Sequence, residues 1–172
     1  MEAATLSDIS RNSKYGFLAA TEFEGLGYCG GLLILTVGGR PVEFHCTAPV
    51  VANRAQQILY GATLKQFLIC DQIGNALLNE ARVKLDIVVT DQVELCELSS
   101  SFDFPFAFTS CDDEKPAEIG VTRELDGDSF QILGSGVEHA EALLRLFTET
   151  LPLLEPFERI YQAIGEARSD AA

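Results

Sequence analysis

The sequence predicts a single α/β domain, with a mixed β-sheet that is opened by an antiparallel hairpin, continued by a βαβ unit and flanked by helices. Apolar residues make up 47% of the 172 residues, which is enough for one sizeable core. They recur with a period of two before Pro49 and with a helical period after it. The expected divisions are a flexible N-terminus 1–14, a domain 15–168 with a helical C-terminal segment 137–167, and a flexible tail 169–172.

The hairpin comes first in the chain. Strands are predicted over residues 15–24 and 31–36, joined through the glycine-rich segment GLGYCGG. The segment VGGR then marks a tight turn into a returning strand over 42–47. Because side chains alternate along a strand, His45 and Cys46 are expected on opposite faces of the sheet.

A helical stripe of apolar residues follows from Ala52 to Leu78 and breaks at Gly61. This pattern predicts two helices, or one kinked helix, packed against the sheet. The compact β-branched run over residues 85–90 then predicts a strand that is buried on both faces.

The next segment predicts a βαβ crossover. Thr90 and Asp91 offer an N-cap for a short helix over 91–100, and Glu94 is spaced to complete a capping box. A strand over 102–109 follows, in which Pro105 marks an edge or a bulge. A strand, a helix and a second strand in this order favour a parallel pair with a right-handed crossover.

The last third of the chain starts with a segment, 110–118, that has the composition of an exposed loop. Two short strands are predicted over 119–124 and 129–133. Pro152 and Pro156 are expected to divide the helical C-terminal segment into two helices.

The charge balance limits the partners that can be expected. Lysine and arginine number 12 and aspartate and glutamate 26, for a formal net charge of −14. A field of that sign repels phosphate backbones and anionic membranes, and the basic residues form no run, so neither nucleic acid nor membrane is expected as a partner. No apolar stretch reaches the roughly 18 residues of a membrane-spanning helix, and a cytoplasmic location is expected.

Cysteine and histidine usage argues against a metal site. The odd number and wide spacing of the five cysteines are typical of free thiols in a reducing compartment. The sequence has two histidines, His45 and His139, and no phosphate-cradling, zinc-protease or serine-hydrolase motif. No cofactor and no transition metal are therefore expected.

Three residues are candidates for chemistry near the first helix. Cys46 precedes the helix N-terminus, where the macrodipole favours a reactive thiolate, but a small buried hydrophobic residue is the simpler interpretation. His45 is a candidate base or a structural histidine. Arg54 is a candidate ligand for an anion at the carboxyl edge of the sheet, or a partner of one of the 26 acids.

The apolar stripe of the C-terminal helical segment predicts an interface. Large apolar residues that are not buried within the chain should bury against a second copy or a fixed partner protein. The predicted interface residues are Leu143, Phe147, Leu151, Leu154, Phe157 and Tyr161.

The order of elements from residue 31 to 109 resembles the zinc-dependent nucleoside and nucleic-acid deaminases. GGLLILTVGGRPVE is similar to their opening hairpin, ANRAQQIL falls where their zinc-binding H-x-E helix begins, and LDIVVTDQVELCEL falls where their strand leads into the P-C-x-x-C helix. The resemblance implies a deaminase-like fold without the zinc chemistry, because residues 54–57 hold no histidine or acid and the second helix offers only Cys96. The stretch EFHCTAPV…NRAQQILYG is similar to uncharacterised bacterial proteins, which implies no function.

Two hypotheses about function follow from these observations. The preferred one is a non-catalytic intracellular binding or assembly protein, on a metal-free deaminase-like scaffold. The alternative is an enzyme of unrecognised type that uses Cys46 as its nucleophile, with Arg54 or His45 assisting.

Overall fold

Seven strands form one mixed sheet in the order β3-β2-β1-β4-β5-β7-β6. The computed structural model describes residues 12–110, 120–125 and 127–170. β1 pairs antiparallel with β2 and parallel with β4, and β4 pairs parallel with β5. The predicted α/β class, the opening hairpin and the parallel βαβ pair are therefore confirmed. The strands are Lys14–Phe23 (β1), Gly27–Thr36 (β2), Pro41–Cys46 (β3), Ile87–Thr90 (β4), Phe106–Thr109 (β5), Val121–Leu125 (β6) and Asp128–Leu133 (β7).

The second strand begins earlier than its sequence pattern predicts. Residues 27–30 pair with the end of β1, so the glycine-rich segment is part of the ladder. A Cβ atom on Gly30 would lie 2.1 Å from the side chain of Ile73. Glycine at this position therefore lets the covering helix approach the sheet closely.

One face of the sheet is covered by a continuous helical run over residues 54–80. Its parts are α-helix Arg54–Tyr60 (α1), 3-10 helix Gly61–Thr63, α-helix Leu64–Gln66 (α2), π-helix Phe67–Gly74 and α-helix Asn75–Glu80 (α3). Burial begins only at Leu68, and α1 has no buried residue. Ile58 and Leu59 are 65% and 82% exposed. The predicted apolar stripe is therefore wrong over α1, although a capping box between Asn53 and Gln56 starts that helix.

The crossover between β4 and β5 is a 3-10 helix, Val93–Ser100, and the predicted capping box at its start is absent. Two side chains at the start of this helix make tertiary hydrogen bonds. The Asp91 carboxylate accepts a hydrogen bond from Tyr161 of the last helix, and the Gln92 amide binds the backbone of Ala20 in β1. Locally, Thr90 Oγ1 accepts from the Gln92 N–H at 3.2 Å, so the start of this helix is held by one local hydrogen bond together with these tertiary contacts.

The opposite face of the sheet is covered by two helices, Val137–Thr148 (α4) and Glu155–Asp170 (α5). Pro152 lies in the break between them and Pro156 in the first turn of α5, where proline is tolerated. The buried Tyr15 hydroxyl donates a hydrogen bond to the Leu143 carbonyl at 2.7 Å, which joins β1 to α4. Phe17 packs against Phe147 at a ring distance of 5.2 Å.

The predicted interface residues lie in or beside the core that is formed between the sheet and the helices α4 and α5. Leu143, Phe147 and Phe157 are fully buried within the chain. Leu151, Leu154 and Tyr161 are half-buried against the same cluster. Much of the apolar stripe is therefore buried by packing over the sheet, and an interface formed by its half-buried residues stays a prediction.

No helix within the described ranges is long and apolar enough to cross a membrane.

The close approach of sheet and helix at Gly30 predicts a large effect of one methyl group. Gly30→Ala should lower the free energy of unfolding by about 1–3 kcal/mol, because the added Cβ overlaps Ile73. The matched control is Gly165→Ala in α5, where an added Cβ meets no atom within 4 Å and alanine should stabilise the helix by roughly 0.5–1 kcal/mol. Urea unfolding of both variants measures the two changes, and equal stability of both would contradict the packing at Gly30.

Candidate functional site

The strands β1, β3, β4 and β5 run in one direction, so the sheet has two distinct edges. We call the edge at which these strands begin the amino edge and the edge at which they end the carboxyl edge. Ligands of open α/β sheets usually bind outside the carboxyl ends of the strands.

The carboxyl edge holds a buried acid at the end of β4. Oδ2 of Asp91 accepts a hydrogen bond from the Tyr161 hydroxyl at 2.6 Å. Oδ1 is buried and has no hydrogen-bond partner among the described residues. Burial raises the pKa of Asp91, and the hydrogen bond from Tyr161 opposes that rise. A carboxyl group of this kind is a candidate for proton transfer.

His45 and Cys46 lie on opposite faces of β3, as their alternation predicts. His45 is opposite Leu32, which belongs to the core under α3, and Cys46 is opposite Gly31, against which α5 packs. The His45 ring contacts Glu43 at 2.9 Å, and this hydrogen bond is the main cause that lowers the pKa of Glu43. The two residues line a cavity of about 420 Å³, but their side chains do not form a pair.

Arg54 is the first residue of α1 and is exposed beyond the carboxyl edge. The structure thus places the three sequence-predicted candidates in three separate surroundings. Whether Cys46, His45 or Arg54 has a chemical role stays a prediction.

A larger groove, of about 540 Å³, opens at the amino edge. It lies where the chain enters β4 and β5, beside the first turn of α4. Its residues include apolar, aromatic and charged side chains. They are Leu78, Ala81, Val83, Lys84, Leu85, Asp86, Ser101, Phe102, Asp103, Phe104, Pro105 and His139.

Three phenylalanine rings form a stacked ladder that leads out of the core into this groove. The centroids of Phe102 and Phe104 are 5.3 Å apart, and those of Phe104 and Phe106 are 5.7 Å apart. The interplanar angles are 23° and 24°, so the rings lie nearly parallel. Phe106 is buried in β5, whereas Phe102 and Phe104 are half-buried and line the groove.

Four cations belong to the chain segments at the same edge. Arg40 precedes β3, Lys14 begins β1, and Arg82 and Lys84 lie in the connection to β4. Within the described part of the chain, none of the four has a carboxylate within 4.0 Å of its charged nitrogen atoms. Arg40, Arg82 and Lys84 are exposed.

Four other cations in the described part of the chain form ion pairs with glutamates. Lys65, Arg123, Arg145 and Arg159 each contact a glutamate at 2.7–3.2 Å. The amino edge thus holds four cations that form no close ion pair with a carboxylate among the described residues, on a chain whose formal net charge is −14.

Two carboxylates and a histidine complete the groove. Asp86 is anchored to β1, because its Oδ2 accepts from the Lys14 backbone N–H at 2.7 Å and its own N–H donates to the Lys14 carbonyl at 3.0 Å. Asp103 is exposed between the two phenylalanines. His139 lines the groove from the first turn of α4.

Sequence reasoning missed this groove. The alternating phenylalanines of FDFPF were interpreted as one strand, but β5 begins only at Phe106. Pro105 is the residue in the sequence that indicates this boundary. Proline has no backbone N–H to donate to a neighbouring strand, and β5 begins directly after it. Phe102 and Phe104 therefore lie outside the sheet.

No group of three or more histidine, cysteine, aspartate or glutamate side chains in residues 12–110, 120–125 and 127–170 is placed to hold a metal ion. The expectation that the chain binds no transition metal and no cofactor stays a prediction.

Comparison with known proteins gives distant structural similarity only. No protein-family model and no curated protein sequence matches the chain. A crystal structure of human endonuclease V is 12% identical, with 93% of this chain and 86% of that chain covered and a TM-score of 0.49. A Ciona intestinalis endonuclease V in complex with a DNA that contains inosine is 8% identical, with 78% and 76% covered and a TM-score of 0.45. Marinitoga piezophila Argonaute in complex with 5′ OH guide RNA is 11% identical, with 86% and 27% covered and a TM-score of 0.41.

These findings correct three expectations. The structures similar to this chain are endonuclease V and Argonaute, so the deaminase-like resemblance and the preferred hypothesis of a non-catalytic assembly protein are wrong. The exclusion of nucleic acid is also corrected, because the Ciona intestinalis endonuclease V structure contains DNA and the Argonaute structure contains guide RNA. The expectation of a partner protein or a second copy stays a prediction. At such low identity the likeness describes the fold alone. The function of this chain has to be inferred from its own residues.

The surroundings of Asp91 predict a pH-dependent gain in stability for Asp91→Asn. The variant should raise the free energy of unfolding at pH 7, because burial disfavours the ionised carboxylate of Asp91 and the neutral amide of asparagine carries no charge to bury. Since the folded-state pKa lies above the ordinary value of 3.8, the stability that Asp91 contributes is present at low pH and is lost as pH rises through the raised pKa.

The difference between Asp91→Asn and the wild type should therefore be near zero below pH 4 and grow toward neutral pH. Urea unfolding across this range measures it. The control is Asp128→Asn, which removes an exposed carboxylate. A gain for Asp91→Asn that does not depend on pH would refute this account.

The cysteines predict selective alkylation at neutral pH. Cys46 is exposed, whereas Cys29, Cys70 and Cys96 are buried. Burial raises the pKa of Cys70 to about 11 and that of Cys96 to about 12, so both are almost entirely protonated thiols. In a Cys111→Ser background, brief iodoacetamide treatment should give one adduct at Cys46 by peptide mass mapping. Faster modification of Cys70 or Cys96 in the folded protein would contradict their burial.

Proposed function

We propose that the chain binds single-stranded nucleic acid along the amino edge of its sheet. The observation that carries the proposal is the pair of stacked, half-buried phenylalanines, Phe102 and Phe104, in a groove that also holds the exposed cation Lys84. Binding sites for single strands combine aromatic side chains, on which bases stack, with cations that follow the phosphates.

The phenylalanine ladder supplies the stacking surface. Phe104 is held from below by Phe106, a fully buried residue of β5, so its ring has a fixed orientation. A base that stacks on the ladder extends a series of nearly parallel rings. Stacking of one base on an aromatic side chain contributes about 1–3 kcal/mol. The groove volume of about 540 Å³ is within the range of roughly 300–1,000 Å³ that small-ligand sites occupy.

The cations supply the phosphate contacts. Arg40, Lys14, Arg82 and Lys84 lie on segments that enter β3, β1 and β4, which are spread across half of the sheet order. A backbone that leaves the groove toward β3 would pass these side chains in turn. Because they have no carboxylate partner among the described residues, no ion pair has to break when phosphates bind.

The negative charge of the rest of the chain lowers the affinity for a single strand. A net charge of −14 repels a polyanion at long range, and salt screens that repulsion together with the local attraction. With three or four phosphate contacts, the affinity for a single strand should fall roughly 20–50-fold between 50 and 200 mM salt. Binding of this kind is moderate in affinity and depends on both stacking and charge.

Fluorescence anisotropy with a labelled 12-mer single strand tests the proposal. Phe102→Leu keeps most of the apolar volume but removes the outer ring of the ladder, on which a base would stack, and should weaken binding roughly tenfold. Lys84→Ala should weaken binding and reduce the slope of log affinity against log salt by about 0.7. The matched control, Arg54→Ala, removes the same charge at the opposite edge and should leave the affinity within about twofold.

Two results would refute this function. Absence of binding by the folded wild type at 50 mM salt is one, and equal weakening by Arg54→Ala and Lys84→Ala is the other. In the second case the polyanion would respond to total charge and not to the groove.

A second candidate function is proton transfer at the carboxyl edge. The observation that favours it is the buried, unpaired Oδ1 of Asp91 in a carboxyl group whose pKa is raised by burial. Incubation of end-labelled oligonucleotides with the wild type and with Asp91→Asn tests it on a gel. Cleavage that the variant loses supports this candidate, and intact strands with both proteins remove it without affecting the binding proposal.

A further inference from the structure

The groove at the amino edge has an unusual rim for a site that accepts a polyanion, because two of its side chains are carboxylates. Asp86 and Asp103 both line it, next to the rings of Phe102 and Phe104. A carboxylate repels phosphate, so neither residue helps to hold the backbone. Both can accept hydrogen bonds and neither can donate one when ionised.

Asp86 is held in a fixed position. Its Oδ2 accepts from the Lys14 backbone N–H at 2.7 Å, and its backbone N–H donates to the Lys14 carbonyl at 3.0 Å. The residue is therefore fastened to the first residue of β1 by two hydrogen bonds. An acceptor that is fixed in this way needs little ordering when a ligand binds.

Asp103 is the second carboxylate of the groove. It stands between Phe102 and Phe104 in the chain, and its side chain is exposed. A base on the phenylalanine ladder would present its hydrogen-bonding edge to a rim that carries acceptors from both residues. The nearby donors are Lys84, which is exposed and suited to a phosphate, and His139 of α4.

From this arrangement we infer that the groove selects bases that carry an exocyclic amino group, such as cytosine and adenine, over thymine and uracil. The inference rests on the proposed function. The amino group of cytosine donates to an aspartate or glutamate, as in direct readout of DNA. Thymine presents a carbonyl oxygen at the same position, where it faces a carboxylate acceptor to acceptor, and the donor on this edge of thymine is the ring N3–H.

Cytosine and thymine are the sharpest pair of probes, because they have the same ring size and differ at this position. Anisotropy with labelled dC12 and dT12 at pH 7.5 should give roughly tenfold tighter binding of dC12, within the discrimination that one good base contact provides. The double variant Asp86→Asn, Asp103→Asn should bind the two strands with equal affinity, since an amide both donates and accepts.

Controls separate base selection from folding and from charge. The Asp86→Asn substitution keeps a carbonyl oxygen that can accept from the Lys14 N–H, and a thermal melt checks that the double variant is folded. Asp128→Asn removes an exposed carboxylate at the carboxyl edge and should retain the preference for dC12. Loss of the preference in Asp128→Asn would assign it to total charge and overturn the inference.

The outcomes also distinguish this inference from the function on which it rests. Equal binding of dC12 and dT12 by the wild type, with both weakened by Phe102→Leu, overturns the selection and leaves single-strand binding intact. Failure of the wild type to bind either strand overturns both.

Discussion

The parallel pairing of β1 with β4 is the constraint on which the rest of the structure depends. Hydrogen bonds outside the β-ladder join the two strands at both the amino edge and the carboxyl edge. At the amino edge, Lys14 and Asp86 exchange two hydrogen bonds, and at the carboxyl edge the amide of Gln92 binds both the N–H and the carbonyl of Ala20. Because β1 is central and buried on both faces, this register decides which residues face each helical layer.

The hydrogen bonds between Lys14 and Asp86 also fix the position of one wall of the groove. Asp86 both joins β1 to the segment before β4 and lines the groove, so the position of that wall follows from the register of the sheet. The other wall follows from Pro105, whose carbonyl accepts from the Val88 N–H at 3.1 Å while the residues before it leave the sheet. A stacking surface is thereby placed next to a fixed carboxylate. The connecting segments that form the proposed site are thus tied to the strands by hydrogen bonds of Asp86 and Pro105.

The distribution of charge matters more than its sum in this protein. A formal net charge of −14 is the average of a surface on which many cations are paired with glutamates and those of the amino edge are not. An average of this kind describes the field far from the molecule. Contacts with a ligand depend on the charges within about one Debye length, roughly 8–10 Å. The net charge alone therefore gives no ground for excluding nucleic acid as a partner.

The sequence by itself determined the class of fold, the hairpin, the parallel βαβ pair and the opposite faces of His45 and Cys46, because periodicity and turn chemistry act over a few neighbouring residues. Only the tertiary structure decided that α1 stands exposed, that Gln92 binds β1 in place of a local cap, and that Lys84 meets Phe104 in one groove. Those contacts join residues far apart in the chain. They follow from the register of β1 with β4, which no local pattern encodes.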